Sequence, residues 1–392
     1  MNNTNKNIKV LIAPDKFKGS LTSLEISNIL LEVVQRQYPN SKSVILPMAD
    51  GGDGSLEAVE FVQRGVHKKY YNVYGLNKLD ISVPIIYWDK FKNDGSFFRT
   101  AMIEMAKVCG ISSLEKRDVM NYTTRGLGEL IRDVINDLKV NKLLISLGGS
   151  ATSDGGVGML RSLGFKVSSS FHNVRQSDFN FSRDTVAKIC PSLFETEIVA
   201  LVDVQNPLLG INGASRVFAS QKGATEAEVE VLEKTMKYWS NKVMEWRNKN
   251  NHSQFFKQDF YGPGVPGAGA AGGVGFALNT VFSAEILSGW NYIADRLNLE
   301  KYISEADLII SGEGKLDAQT FNGKCVDGIG SLCKKYHKTF YVICGQNELD
   351  SKDYFKRGIT KVFSLMEMGY SANYCITHAE ELLKKIIFVG KC

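Results

Sequence analysis

The sequence predicts an α/β fold in which a parallel-sheet domain is interrupted by an inserted second α/β domain. Three observations predict this class. Both ends of the 392-residue chain alternate apolar strand-like runs with helical stretches, the middle alternates like antiparallel strands, and glycine-rich loops follow several strands. We expect residues 1–70 and 286–392 to form one discontinuous domain and residues 71–285 to form the insert.

The N-terminal segment predicts two strand–loop–helix units. Strands are expected over 8–14 and 43–48, and helices begin near the capping pair Thr22 and Glu25 and at Ser55. Helix-length crossovers make the strands parallel, so both loops should lie at the sheet edge where open α/β sheets bind ligands. Surface turns also favour Asp and Gly, which explains one such loop better than two. The charged residues expected there are Asp15, Lys16, Lys18, Asp50 and Asp53.

The middle of the chain predicts a different sheet. Residues 68–74 and 81–88 alternate like antiparallel strands, a further strand follows over 97–106, and a helix is expected over 127–138. A polar, exposed loop is predicted over 171–183.

A carboxylate lies near the end of the next predicted strand. Residues 197–204 have the sequence EIVALVDV, in which Asp203 is charged within an apolar run. A buried carboxylate needs partners or a metal, so we favour a functional role for Asp203. Asn206 follows this strand, and a long helix is expected after the capping pair Thr225 and Glu228.

Residues 143–164, LLISLGGSATSDGGVGMLRSLG, predict a strand, a glycine-rich loop and a helix. Such a loop brings backbone N–H groups close to an anion, with a helix N-terminus directed at it. Asp154 would repel a phosphate unless a cation lay between them, which suggests a magnesium–nucleotide site. The alternative is a tight connection with no ligand. The loop residues assigned to ATP are Gly148, Gly149, Ser150, Ala151, Thr152, Gly155 and Gly156.

The most glycine-dense stretch spans 262–275 and contains G-x-G-x-x-G at Gly267, Gly269 and Gly272. No convincing strand precedes it, so a dinucleotide-binding interpretation lacks its required context. A flexible hinge and a close-packed helix start are the two interpretations left open.

The C-terminal segment repeats the pattern of the N-terminal one. Strands are expected over 307–311, 339–344 and 359–365, and a final helix over 379–387. A loop over 312–317 would bring Glu313, Lys315 and Asp317 to the sheet edge that holds the N-terminal acidic loops.

Composition and the absence of certain motifs argue against several classes of function. A net charge of +5 without a dense basic stripe argues against nucleic acid, and no run approaches membrane-spanning length. Seven scattered cysteines without a C-x-x-C pair favour a reducing compartment with inert thiols, so we expect a cytoplasmic protein. Walker A, protein-kinase and G-x-S-x-G motifs are missing. The remaining inventory of glycine loops, carboxylates and lysines is the one that phosphoryl transfer requires.

Eight ordered segments resemble the motifs of the type 1 glycerate kinase family, from residue 8 to about 330. They are APDKFKGSLTSLE, PMADGGDGSLEA, IEMAKVCGI, GGSATSDGGVGMLRSLG, VDVQNPLLG, QKGAT, GAGAAGGVGFAL and SGEGKLDAQTFNGK. The resemblance implies ATP-dependent, magnesium-assisted phosphorylation of D-glycerate, with 2-phosphoglycerate the general product of bacterial members. It also implies a Rossmann-like or flavodoxin-like domain interrupted by a second α/β domain. Lys315 stands where the family often has Arg, which keeps the charge but loses the bidentate fork.

These inferences predict an active site between the two domains. The 148–156 loop and Lys222 would bind the triphosphate, and Asp50, Asp53 and Glu313 would hold Mg²⁺. Asp203 is the predicted general base, with Asp154 as its competitor and Lys18 as a further catalytic residue. The predicted substrate-binding residues are Asp15, Lys16, Lys18, Asn206, Lys315 and Asp317.

Two other functions stay open from the sequence. A regulator would bind ATP and a hydroxy acid without turnover, and a nicotinamide-dependent oxidoreductase would use the 267–272 glycines. The expected partners are D-glycerate and ATP, without nucleic acid or membrane. The sequence leaves the oligomeric state open, with a homodimer as one option.

Overall fold

The structure is a computed structural model that describes residues 7–91, 95–112, 114–115, 117–167, 189–250, 261–321 and 325–388. The polar loop predicted over 171–183 lies outside these residues. Within the described ranges, none of the helices combines the length and the hydropathy that crossing a bilayer requires.

The described strands include each predicted strand, with ends that are shifted, shortened or extended, and add the strand Glu285–Ser288, which the sequence did not predict. They are β1 (Lys9–Ile12), β2 (Lys42–Ile45), β3 (His67–Tyr74), β4 (Asp80–Phe91), β5 (Phe97–Glu104), β6 (Lys142–Ser146), β7 (Glu197–Val202), β8 (Glu285–Ser288), β9 (Leu308–Leu316), β10 (Thr339–Asn347) and β11 (Lys361–Ser364).

The described α-helices connect these strands. They are Ser23–Gln37, Ser55–Val62, Ala106–Cys109, Arg125–Leu138, Val157–Ser162, Ala214–Phe218, Glu226–Asn250, Ala270–Phe282, Gly289–Arg296, Leu299–Glu305, Cys325–Lys335, Ser351–Lys356, Ala372–Thr377 and Ala379–Lys384.

The chain divides into two compact units. The first comprises Met1–Asp50, Glu57–Val62 and Trp290–Cys392, and the second comprises Gly51–Leu56 and Gln63–Gly289. These bounds differ from the predicted limits at 70 and 286, because β3 and β8 both pair within the sheet of the second unit. The Gly51–Leu56 segment, predicted with the first domain, also belongs to the second unit.

The first unit contains a five-stranded parallel sheet in the order β11-β10-β9-β1-β2. β1 pairs with β2 on one side and with β9 on the other, so the prediction that both chain ends build one parallel sheet is confirmed. Numbered along the chain within this sheet, the strands run 2-1-3-4-5, which is the flavodoxin-like order. Ligands of such sheets bind outside the carboxyl ends of the first and third strands, here β1 and β9.

The helix Ser23–Gln37 illustrates why the first unit folds this way. Thr22 and Glu25 form the predicted capping box, which satisfies orphan donors at the helix N-terminus. The apolar stripe that includes Ile26, Leu30 and Val33 is fully buried in the core of this unit. The helix pattern of the sequence therefore corresponds directly to a packed face.

The second unit contains a six-stranded mixed sheet in the order β3-β4-β5-β6-β7-β8. Its first two pairs are antiparallel, as the alternating segments predict, and the remaining pairs are parallel. The helix Arg125–Leu138 packs its apolar stripe into the core of this unit, and β6 is buried at Leu143, Leu144 and Ile145. β6 therefore holds the glycine-rich 148–156 loop, which follows it, on a rigid base.

One predicted loop is wrong. The 312–317 segment, expected to be a loop, is mostly extended because β9 continues to Leu316 beside β10. Glu313 pairs with Cys344 and Lys315 with Gln346 in this ladder. A side chain at residue 312 would overlap with the Ile343 carbonyl oxygen, so Gly312 is what allows the strand to continue.

Candidate active site

Asp154 is the buried centre of the 148–156 loop. Its Oδ2 atom accepts hydrogen bonds from the N–H of Thr124 at 2.9 Å, the hydroxyl of Thr124 at 2.9 Å and the N–H of Gly158 at 3.1 Å. The hydroxyl of Thr123 donates to Oδ2 at 3.3 Å, and the N–H of Gly156 donates to Oδ1 at 3.2 Å. This carboxylate therefore ties the loop to the helix Arg125–Leu138 and caps the helix Val157–Ser162.

These contacts change the interpretation of Asp154. The predicted role of the helix N-terminus was to face an anion, but two of its amides, those of Gly156 and Gly158, bind the Asp154 carboxylate instead. Both oxygens of this carboxylate therefore accept hydrogen bonds from the loop and the neighbouring helix. We infer that Asp154 supports the conformation of the loop.

Lys222 approaches the same loop from the short 3₁₀ turn Ser220–Lys222. Its ammonium donates to the Thr152 carbonyl oxygen at 2.7 Å and to the Ser150 hydroxyl at 3.0 Å, and the side chain is almost fully buried. Burial lowers the pKa of Lys222 to about 8, while Asp154 and Asp203 oppose that shift. Lys222 thus places a positive charge directly behind the loop.

Asp203 lies against the start of the loop. It follows β7, its side chain is partly buried, and its Oδ2 atom lies 3.5 Å from where a side-chain carbon would stand at Gly148. The same added carbon would overlap with the Cα atom of Gly52, so glycine at 148 allows both neighbours to approach. The Gly148 N–H donates to the Gly51 carbonyl at 3.4 Å. The Asp203 carboxylate and the 51–54 turn therefore both lie close to Gly148, at the start of the 148–156 loop.

Only the start of the loop is accessible. Gly149 is exposed, whereas residues 150–156 are buried. In the described part of the chain the Gly149 N–H donates to no acceptor, and Asp53 lies beside it, with its Cβ atom 3.8 Å from a carbon built at Gly149. Gly149 is therefore the loop residue that a ligand can reach, while Gly148, Ser150, Ala151, Thr152, Gly155 and Gly156 are in the packed part of the loop.

The 262–275 stretch packs on the buried part of this loop. The Gly155 N–H donates to the Gly272 carbonyl at 3.0 Å, and a side chain at Gly272 would overlap with the Thr152 carbonyl. Gly272 and Gly273 have φ angles of 63° and 95°, which favour glycine. The structure thus matches the close-packed helix start, one of the two interpretations left open, because residues 271–273 are non-helical and the regular turns of the helix Ala270–Phe282 follow them.

Glu104 is a candidate residue that the sequence interpretation missed. Its fully buried carboxylate accepts hydrogen bonds from Gly54 N–H at 3.1 Å and Leu56 N–H at 3.0 Å, and Lys107 Nζ lies 3.8 Å away. Glu104 holds the 51–54 turn in place at the end of β5. The available signal was the charge at the end of an apolar strand, the same signal that identified Asp203.

In the first unit, charged residues meet at the carboxyl ends of β1 and β9. Lys16 Nζ lies 3.7 Å from Asp15 Oδ1 and 4.0 Å from Asp50 Oδ1. Burial raises the pKa of the Cys325 thiol well above its usual range, and the negative charges of Asp15, Glu313 and Asp50 raise it further. Of the charged residues predicted for this edge, Asp15, Lys16 and Asp50 are within ion-pair distance of one another through the Lys16 ammonium.

The other predicted substrate residues are more dispersed. Lys315 binds Glu348 at 2.9 Å and Asp317 at 3.5 Å, and the Glu348 hydrogen bond raises the pKa of Lys315. Lys18 is exposed in the first unit. Asn206 belongs to the second unit, where its side-chain amide donates to the Asn212 carbonyl at 2.8 Å.

The predicted metal ligands do not form one cluster. Among the described residues, no group of three or more His, Cys, Asp or Glu side chains is arranged to hold a metal ion. Asp50 and Glu313 belong to the first unit and Asp53 to the second. Mg²⁺ in phosphoryl-transfer sites needs only one or two carboxylates because substrate phosphates supply other ligands, so the carboxylates present suit that chemistry.

Comparisons with known proteins identify relatives along nearly the whole chain. The glycerate kinase family matches residues 10–388. The Escherichia coli K12 protein called glycerate 2-kinase is 36% identical over 366 residues, covering 92% of this chain and 91% of that protein. A Bacillus subtilis glycerate kinase is 31% identical over 384 residues, covering 96% and 95%. A crystal structure assigned to glycerate kinase 2 of Salmonella typhimurium LT2 has a TM-score of 0.70 and 29% identity, covering 97% of this chain and 96% of that one. The chain therefore belongs to the glycerate kinase family.

Proposed function

We propose that this protein is a glycerate kinase that transfers the γ-phosphoryl group of ATP to the 2-hydroxyl of D-glycerate, giving 2-phosphoglycerate and ADP. The observation that carries this proposal is the position of the Asp203 carboxylate beside Gly148, next to the exposed Gly149, in a loop supported by a buried lysine. Relatives named glycerate kinase and glycerate 2-kinase support the choice of substrate and hydroxyl.

In the proposed reaction, Asp203 accepts the proton of the glycerate hydroxyl. The hydroxyl oxygen forms a bond to the γ-phosphorus as the bond from that phosphorus to the ADP oxygen breaks, and the proton passes later to solvent. The Gly149 N–H and the charge of Lys222 behind the loop favour the anionic phosphate. Phosphoryl transfer requires little covalent chemistry from the protein. Substrate positioning and electrostatic stabilisation therefore supply most of the rate acceleration.

Lysines of the first unit are suited to bind the carboxylate of glycerate. Lys16, beside Asp15 and Asp50, and the exposed Lys18 follow β1 at the switch point of the sheet, where ligands of this fold class bind. We assign the glycerate carboxylate to these lysines. Lys315 is a weaker choice because its ammonium already binds Glu348 and Asp317.

Mg²⁺ is proposed as the companion of ATP. When bound, it neutralises charge on the transferred phosphoryl group. The proposed protein ligands are Asp53, which lies beside Gly149, in the second unit, and Asp50 and Glu313 in the first unit.

A coupled assay of ADP formation tests the proposal. We expect turnover with D-glycerate, weaker or no turnover with tartronate and hydroxypyruvate, and phosphate at the 2-position by NMR of the product. Asp353→Asn, an exposed carboxylate in the helix Ser351–Lys356, is the matched control for Asp203→Asn. ATP binding without turnover of any of these acids would instead support the regulator.

A further inference from the structure

We propose that Lys222 is a positioning residue and does not bind the nucleotide: its buried ammonium and the Asp154 carboxylate hold the 148–156 loop from opposite sides, and activity requires the charge on that ammonium. This inference rests on the proposed kinase function and adds an internal charged support to it.

The Lys222 contacts are directed toward the loop. Both acceptors, the Thr152 carbonyl and the Ser150 hydroxyl, belong to the loop itself, at 2.7 Å and 3.0 Å. The residue is only 4% exposed, so the ammonium has little surface left for a ligand. A nucleotide-binding lysine in a kinase would present its ammonium toward the substrate.

Asp154 holds the loop from its other side. Asp154 binds donors from Thr123, Thr124, Gly156 and Gly158, which lie at the other end of the loop and on the neighbouring helix. Lys222 therefore fixes the loop near residues 150–152, and Asp154 fixes it near residues 154–158. Gly149, which is exposed, lies just before the first anchor.

The charge has a role beyond the two hydrogen bonds. The titratable groups that face Lys222 are Asp154, Asp203 and the thiol of Cys109, and each favours the charged ammonium. Burial and Asp154 raise the pKa of the Cys109 thiol, so this thiol stays neutral and the facing charges are the two carboxylates. A neutral amine would still donate to Thr152 and Ser150 but would no longer attract Asp203.

This distinction gives a pH test on the unaltered protein. Deprotonation near pH 8 removes the charge and leaves the hydrogen bonds, so we expect kcat to fall on an alkaline limb near that pH. In Lys222→Arg the guanidinium stays charged, and the limb should move upward by at least about one pH unit. Lys222→Met should lower kcat about a hundredfold, because loop and base are misplaced, and should lack the limb. Lys237→Met, an exposed lysine of the helix Glu226–Asn250, is the matched control.

Hydrogen exchange supplies a readout that does not depend on turnover. At constant pH, amides of the 148–156 loop should exchange at least about tenfold faster in Lys222→Met than in the unaltered protein, and at the original rate in Lys222→Arg. If Lys222→Met fails to fold, Ser150→Ala takes its place. This substitution removes one acceptor of the Lys222 ammonium, so its loop amides should exchange at an intermediate rate.

Three results would overturn the inference. They are a kcat that stays constant to about pH 10 in the unaltered protein, a Lys222→Met variant that changes only KM for ATP, and unchanged loop exchange in all variants. If the unaltered protein phosphorylates none of the acids, the proposed function fails, and the exchange comparison still decides whether Lys222 positions the loop.

Discussion

Thr124 binds the Asp154 carboxylate through both its backbone N–H and its hydroxyl, each at 2.9 Å, and the same hydroxyl accepts the Met159 N–H at 2.9 Å. One threonine therefore joins the helix Arg125–Leu138 to the loop carboxylate and to the helix Val157–Ser162. These hydrogen bonds of Thr124 support the conformation of the glycine-rich loop.

Thr124→Val tests this support. The substitution leaves the buried Met159 N–H without its acceptor and removes one donor to Asp154, so we expect a loss of about 1–3 kcal/mol in the free energy of unfolding. Thr124→Ser keeps the hydroxyl and should lose much less. Chemical denaturation of the two variants measures the difference, and equal stabilities would argue against the hydroxyl as a support.

Gly148→Ala tests the close approach of Asp203. The added carbon overlaps with Gly52 Cα and meets Asp203 Oδ2 at 3.5 Å, so we expect a cost of about 1–3 kcal/mol in stability and a fall in kcat of about a hundredfold. Gly264→Ala is the control, because nothing lies within 4 Å of a carbon added there. A Gly148→Ala variant with normal kcat would separate Asp203 from catalysis.

Asp203→Asn tests the general base. Removing a base costs roughly a hundredfold to ten-thousandfold in turnover, and the amide fills the same space, so ATP affinity should stay near normal. Steady-state kinetics with an equilibrium nucleotide titration checks both quantities. A variant with near-normal kcat and a raised KM for glycerate would make Asp203 a binding residue.

Asp50→Asn tests the magnesium proposal. We expect lower activity that raised Mg²⁺ partly restores, because one anionic ligand is lost from the edge that also holds Asp15 and Glu313. The measurement is kcat/KM against Mg²⁺ concentration. An unchanged magnesium dependence would assign Asp50 to Lys16, whose ammonium lies 4.0 Å away, or to glycerate.

The pKa of Lys222 predicts a stability effect with a definite sign. Burial lowers it from 10.5 to about 8, so between these pH values the unfolded chain binds the extra proton and stability rises with pH. Below about pH 8 the buried charge costs the folded state up to about 3 kcal/mol. The free energy of unfolding of the unaltered protein should therefore rise, relative to that of Lys222→Met, between pH 8 and pH 10.5. A difference that does not change with pH would contradict this assignment.

The amino-acid sequence by itself determined most of the secondary structure and the parallel pairing of the chain ends. Helix caps such as Thr22 with Glu25 and buried runs such as 143–147 are local signals, and helical crossovers between strands require parallel pairing. The ordered motifs also carried the family, since eight segments in register are a far stronger signal than one glycine-rich loop.

Only the tertiary structure decided which partners each charged residue meets. Asp154, Asp203 and Glu104 are all carboxylates in or beside apolar segments, and the sequence treats them alike. Distant donors distinguish them: Asp154 meets Thr124, and Glu104 meets the Gly54 N–H, while Asp203 lies over Gly148. Likewise the 312–317 segment has the composition of a loop, but pairing with β10 makes most of it a strand. Burial and hydrogen-bond partners depend on residues far apart in sequence, so local patterns carry no record of them.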